Sequence, residues 1–170
     1  MKKILTCVFL ILVILGFLIL VISFKMFTVS GGSMEPTLKD GEKILTNKLA
    51  YLFSKPQRGD LVLVNAEEKT WVKRIVGLPG EQIEIKDGSI KINDKVLYES
   101  YIKEIHTYGD QRVFLDKGQF YVLGDNREPN QSTDSRILGP VSSKNILGKV
   151  IALISPNFKL LGKQNYQLGY

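Results

Sequence analysis

Cysteine and histidine are almost missing from this chain. Its 170 residues include one of each, Cys7 and His106. A lone cysteine forbids an internal disulfide, and a lone histidine excludes any metal site built on two histidine ligands. Neither a metal nor a cofactor is expected. Nothing around Ile105-His106-Thr107 or Gly109-Asp110-Gln111 resembles a Ser-His-Asp triad, so a surface-loop histidine is the expected role. Clusters of like charge are lacking too. The 23 basic and 17 acidic residues give +6 overall, but they are interleaved, which argues against nucleic acid as a partner and suits a mildly basic face beside anionic lipid. The chain shows no internal repeat and no low-complexity linker.

What is present is concentrated. From Ile4 to Phe24 no residue is charged, and only Thr6, Gly16 and Ser23 are not plainly apolar. At ~1.5 Å per residue such a helix is roughly 31 Å long, the thickness of a bilayer core. Cys7 falls inside this run, where a lipid-facing filler is its simplest role. The run is too long for the apolar part of a cleavable signal peptide, and no Ala-x-Ala follows it. A retained anchor over residues 1–25 and a compact extracytoplasmic domain over residues 26–170 are expected. Lys2 and Lys3 before the run favour a cytoplasmic N-terminus in a single-pass cell-membrane protein, with the domain on the far side. A multi-pass transporter, a disordered tail and a cytosolic two-domain enzyme are excluded.

Beyond the anchor, short β-rich runs alternate with turns. Leu61–Val64 follows Arg58-Gly59-Asp60, and Trp71–Val76 stops at Leu78-Pro79-Gly80. Ile83, Ile85, Ile90 and Ile92 alternate with polar residues about Asp87-Gly88, a hairpin signal. Phe120–Leu123 and Ile146–Ile154 read as further strands. Asn47–Ser54 reads as a short helix, with Leu49, Leu52 and Phe53 on one side. The class is all-β, built of small antiparallel sheets behind one transmembrane helix.

Without a usable thiol or histidine, a hydrolytic site needs another base. Ser33 sits in Gly31-Gly32-Ser33-Met34-Glu35-Pro36-Thr37-Leu38, where two glycines allow close backbone approach. The same segment also reads as a turn after a membrane helix. Lysine is the usual substitute base, and Lys73 stands among Trp71, Val72, Ile75 and Val76, whose bulk would lower its pKa by burial. A lysine in a strand can equally extend to solvent. Arg74 points to the opposite face of a regular strand.

Four ordered segments carry a resemblance to a known family: Ser33-Met34-Glu35-Pro36-Thr37-Leu38; Arg58-Gly59-Asp60-Leu61-Val62; Lys73-Arg74-Ile75-Val76-Gly77-Leu78-Pro79-Gly80; and Gly124-Asp125-Asn126-Arg127 with Asp134-Ser135-Arg136. Over roughly residues 1–154 the chain resembles the bacterial type I signal peptidases, membrane-anchored serine proteases with a Ser-Lys dyad. The resemblance implies an all-β signal-peptidase-like fold with a hairpin insertion lobe at about residues 82–117. It implies cleavage of secretory preproteins after small residues at the first and third positions before the cut. Ser33 is then the nucleophile and Lys73 the general base. The oxyanion hole falls to the Ser33 N–H and the region of Gly31, where some members carry a serine whose hydroxyl is a second donor. Ser132 is expected to hydrogen-bond the lysine amine, Asp134 and Arg136 to brace that wall, and Asp125 and Arg127 to fix the loop. Phe27, Val29, Met34, Leu38, Trp71 and Val72 are expected to line the substrate pockets. Four residues, Glu128–Gln131, separate Arg127 from Ser132, where the family usually has two.

Overall fold

The computed structural model describes residues 2–66, 69–102, 106–162 and 166–169. Helix α1, Lys2–Ser23, is the one described helix long and apolar enough to cross a membrane, and of its described residues only Ser23, at the end that meets the sheet, is buried. Its end is set by the sheet. Phe24 already opens strand β1 (Phe24–Thr28), which pairs antiparallel with β2 (Lys43–Asn47). The Lys48 N–H also donates to the Ser23 carbonyl at 2.8 Å. The helical run is thus shorter at its C-terminal end than the apolar run, because pairing captures Phe24.

The larger sheet has the order β1-β2-β11-β3-β4-β9-β10. Its further members are β3 (Leu61–Ala66), β4 (Lys69–Gly77), β9 (Gln119–Leu123), β10 (Val141–Ser142) and β11 (Ile146–Ser155), with β12 (Lys159–Leu160) pairing β11. A second sheet has the order β13-β7-β6-β5-β8: β5 (Gln82–Lys86), β6 (Ser89–Ile92), β7 (Lys95–Glu99), β8 (Gln111–Phe114) and β13 (Tyr166–Leu168). Residues 82–117 therefore supply four of its five strands, and the tail supplies the fifth. The β5–β6 turn uses Asp87 and Gly88, both at positive φ (48° and 79°), the backbone that a two-residue hairpin requires.

The sheets meet through Val76, Ile83, Ile85, Leu115, Tyr121 and Leu123, all buried. Gly77 lies at that junction. A Cβ there would stand 2.7 Å from Ile83 Cδ1 and Leu115 Cδ1 and 2.8 Å from Tyr121 Cβ, so close packing of the sheets needs a residue without a side chain. Under β1, β2 and β11 a separate core holds Val29, Met34, Leu38, Ile44, Leu61 and Val150.

Residues 47–54 are a correction. Asn47 closes β2, and residues 48–52 are turns rather than a helix. The Asn47 side chain accepts from the Leu49 N–H at 2.9 Å, a local bond that competes with helix. Leu49, Leu52 and Phe53 are exposed, so their spacing buries no face.

Candidate active site

Strand β4 delivers the chemistry. Its alternation sends Lys73 and Arg74 to opposite faces, yet both are buried, 3% and 0% exposed. Val62 and Leu61 of β3 pair with them directly, and β9 covers the other edge at Arg74. A strand enclosed on both faces can hold two cations in succession only if each has its own compensation.

For Lys73 the partner is a hydroxyl. Its Nζ lies 2.9 Å from Ser33 Oγ. Burial is the main influence on its pKa and lowers it to about 8, against the opposing pull of Asp134 and Asp125. At pH 7 roughly one molecule in ten would then hold a neutral amine, against about one in 2,500 for a free lysine. A neutral amine within hydrogen-bond reach of a serine hydroxyl can accept its proton.

For Arg74 the partner is Asp125. Nε and Nη2 of Arg74 donate to Asp125 Oδ1 and Oδ2 at 2.8 and 2.5 Å, with both side chains fully buried. The Thr37 hydroxyl also donates to Asp125, at 2.5 Å. Arg74 Nη1 donates to the Gly59 carbonyl at 2.8 Å. The Arg58-Gly59-Asp60 turn is therefore structural. Arg58 bonds Glu81 at 2.5 Å, and Asp60 accepts from Tyr51 and Lys149 at 2.9 and 2.6 Å.

The loop after β9 lies against the serine. The Asn126 N–H donates to the Ser33 carbonyl at 3.1 Å. A Cβ on Gly124 would run into that carbonyl and into Ser132. Arg127 is clamped by Glu99 of β7 through two bonds of 2.7 Å and also bonds the Gly124 carbonyl and Thr107. Burial alone would weaken its charge, but Glu99 outweighs this and holds the guanidinium pKa above its usual value.

Asp134 accepts from the Gly124 N–H at 3.0 Å and caps the short helix α2 (Ser135–Leu138) through the Arg136 N–H. The Arg136 guanidinium donates to both its oxygens at 2.9 Å. Burial pushes the Asp134 carboxyl up, but the Arg136 bonds and charge and the Gly124 N–H leave it below its usual value. Ser132 is buried next to Gly124 and beside Asp134. Its hydroxyl faces Asp134, whose carboxyl it helps hold down, and makes no hydrogen bond to Lys73, so the expected bond to the lysine amine is not formed here. The Gly31 N–H donates to Asp40 Oδ1 at 2.7 Å, so what Gly31 brings to the serine loop is its φ of +82°.

A cavity of about 360 Å³ opens beside the dyad, lined by Phe27, Val29, Ser33, Met34, Trp71, Val72 and Lys73, together with Thr28, Ser30, Leu63, Lys69 and Thr70. Leu38 is a correction: it is fully buried in the core behind Met34 and does not line the cavity. Leu63 was not expected, although it pairs with Val72 across β3–β4. Arg74, Thr37, Asn126 and Glu99 were likewise not assigned roles from the sequence. A second cavity of about 410 Å³ lies in the other sheet, against β6, β7 and β13, and holds neither Ser33 nor Lys73.

Comparison with known proteins agrees over most of the chain. The family described as signal peptidase, peptidase S26, matches residues 1–154. Signal peptidase I U of Bacillus subtilis strain 168 is 36% identical over 162 residues, covering 86% of each chain. Signal peptidase I P of Bacillus subtilis subsp. natto is 38% identical over 152 residues, covering 82% of this chain and 81% of that one. A solved signal peptidase I from Enterococcus faecalis shares 32% identity with a TM-score of 0.49, covering 56% of this chain and 97% of that chain.

Proposed function

Because the chain belongs to the signal peptidase family, peptidase S26, and so is a serine endopeptidase that removes signal peptides, we propose that it does so with Ser33 as nucleophile and Lys73 as general base. The observation that carries this reading is the 2.9 Å approach of Lys73 Nζ to Ser33 Oγ inside a site where burial lowers the lysine pKa. Neutral Lys73 takes the Ser33 proton as Oγ adds to the scissile carbonyl. The developing oxyanion is met by the Ser33 N–H, a kind of donor worth ~10²–10³ in rate. Lys73 then gives its proton to the leaving amine, and the acyl-enzyme is hydrolysed by water activated in the same way.

The substrates are secretory preproteins. In our reading, small residues at the first and third positions before the cut enter the cavity walled by Phe27, Val29, Met34, Leu63, Trp71 and Val72. The apolar helix anchors the protein in a membrane. In our reading the N-terminus lies in the cytoplasm, which Lys2 and Lys3 support, and the catalytic domain lies outside, where the emerging preprotein meets it. Cleavage of a preprotein by the detergent-solubilised chain, with the cut mapped, tests the activity; Ser33→Ala should abolish it while leaving membrane insertion intact. External protease on intact protoplasts should digest the domain, and full protection would overturn the orientation.

A further inference from the structure

Asn126 grips both peptide units that flank Ser33. Its backbone N–H donates to the Ser33 carbonyl at 3.1 Å, and its side-chain Nδ2 donates to the Gly32 carbonyl at 3.3 Å. The amide orientation is fixed from its other end, since Oδ1 accepts from the Glu128 N–H at 3.3 Å. The residue has little freedom to leave. Asp125 before it is tied to Arg74, and Arg127 after it is tied to Glu99, both through buried ion pairs. Gly124 admits the loop this close, because any side chain there would strike the Ser33 carbonyl.

The Gly32 carbonyl belongs to the same peptide unit as the Ser33 N–H. That peptide is trans, so its C=O and N–H point in opposite directions from one plane. The Glu35 N–H also donates to this carbonyl, at 3.1 Å, so Asn126 is the second donor there and the one supplied from outside the serine turn. A donor from that side aims the N–H away from Asn126, and hydrogen bonding at one end of an amide polarises the other. We propose that Asn126 is a positioning residue for the oxyanion hole: its side chain orients and polarises the Gly32–Ser33 peptide so that the Ser33 N–H meets the oxyanion. The need is acute in this chain, because residue 31 has no side-chain hydroxyl and its own N–H is held by Asp40. The inference rests on Ser33 being the nucleophile.

The full-length chain in detergent, with a preprotein peptide as substrate, provides the test. Asn126→Ala and the near-isosteric Asn126→Asp are each compared with wild type for kcat, KM and two inhibitors. One inhibitor is a substrate-length peptide aldehyde. The Ser33 oxygen adds to its carbonyl carbon, the serine proton passes to Lys73, and the aldehyde oxygen becomes the oxyanion. The other has the scissile amide reduced to an amine and presents no oxyanion. Both variants should lose roughly 10- to 100-fold in kcat, less than the ~10²–10³ for outright loss of a donor, with KM nearly unchanged. Affinity for the aldehyde should fall by the same factor as kcat/KM, and affinity for the reduced peptide should hold. A folded variant with wild-type kcat, or parallel weakening of both inhibitors, overturns the proposal. Should Asn126→Ala unfold, Asn126→Asp carries the same readouts, and Asn126→Ser stands in if both unfold. Ser33→Ala is the control: if it still cleaves, the dyad reading fails, whereas an inactive Ser33→Ala beside fully active Asn126 variants sinks this proposal alone.

Discussion

Lys73 and Arg74 are consecutive residues of β4, and one faces Ser33 while the other is locked to Asp125. The strand thereby joins the reacting group to its scaffold. The base is held by packing, and the next residue ties the strand to the loop that grips the nucleophile. Asp125 and Asp134 also draw the lysine pKa upward against burial. The value reached is thus a balance between enclosure and two carboxylates that are themselves neutralised by arginines.

That scaffold is brittle to single changes. Asp125→Ala leaves the fully buried Arg74 uncompensated, and losses of about 3–5 kcal/mol are typical when one member of a buried pair is removed. Unfolding in denaturant should show this for Asp125→Ala. The double variant Arg74→Met/Asp125→Leu should recover much of the loss. If Asp125→Ala unfolds like the wild type, the pair does not hold the loop.

Lys73 should cost the fold stability while it serves the reaction. Its folded pKa lies below that of the unfolded chain, so the unfolded state binds more protons between about pH 8 and 10.5. Stability should rise with pH across that window. Below it the ammonium is charged in both states and the penalty is complete, about 3 kcal/mol. Lys73→Met should therefore be inactive yet more stable at pH 7, by about 2–3 kcal/mol once the lost Ser33 bond is allowed for. The gain should fade between about pH 8 and 10.5, as the stability of the wild type rises. Destabilisation at pH 7 would show that the ammonium is not desolvated.

Gly124→Ala tests the closeness of the loop to the serine. Its methyl would press on the Ser33 carbonyl and on Ser132, an overpacking that costs about 1–3 kcal/mol. Displacing the nucleophile by about 1 Å can cost ~10² in rate. Activity should fall much further than stability, and Gly124→Ala/Ser132→Gly should recover part of it. Unchanged kcat would show that the loop can retreat freely.

The alternating isoleucines about Asp87-Gly88 are readable because both strands bury one face and the turn needs positive φ. The strands of the tail are not. β13 is recruited by the distant β7, which no local pattern announces, and β12 turns back onto the adjoining β11 through only two residues, too few to show an alternation. Residues 47–54 misled because helical spacing of Leu49, Leu52 and Phe53 implies a buried face only where something covers it. At the site, Ser33 and Lys73 could be named from chemistry and family resemblance. Leu38, expected at the cavity from the family motif, lies in the core instead, because a motif match does not tell cavity wall from the layer behind it. Glu99 had no sequence signal linking it to Arg127, since their pairing depends on how the second sheet docks on the first.

The direct test of the dyad is the pH–rate profile of cleavage for wild type beside Lys73→Arg. With the Lys73 pKa at about 8, wild-type kcat/KM should rise about tenfold per pH unit below that value and level off above it, as the free base accumulates. Lys73→Arg, whose guanidinium stays protonated, should be nearly inactive at every pH. A wild-type rate already flat from pH 6 upward, or an arginine variant that cleaves substantially with the same profile, would contradict the assignment of Lys73 as the base.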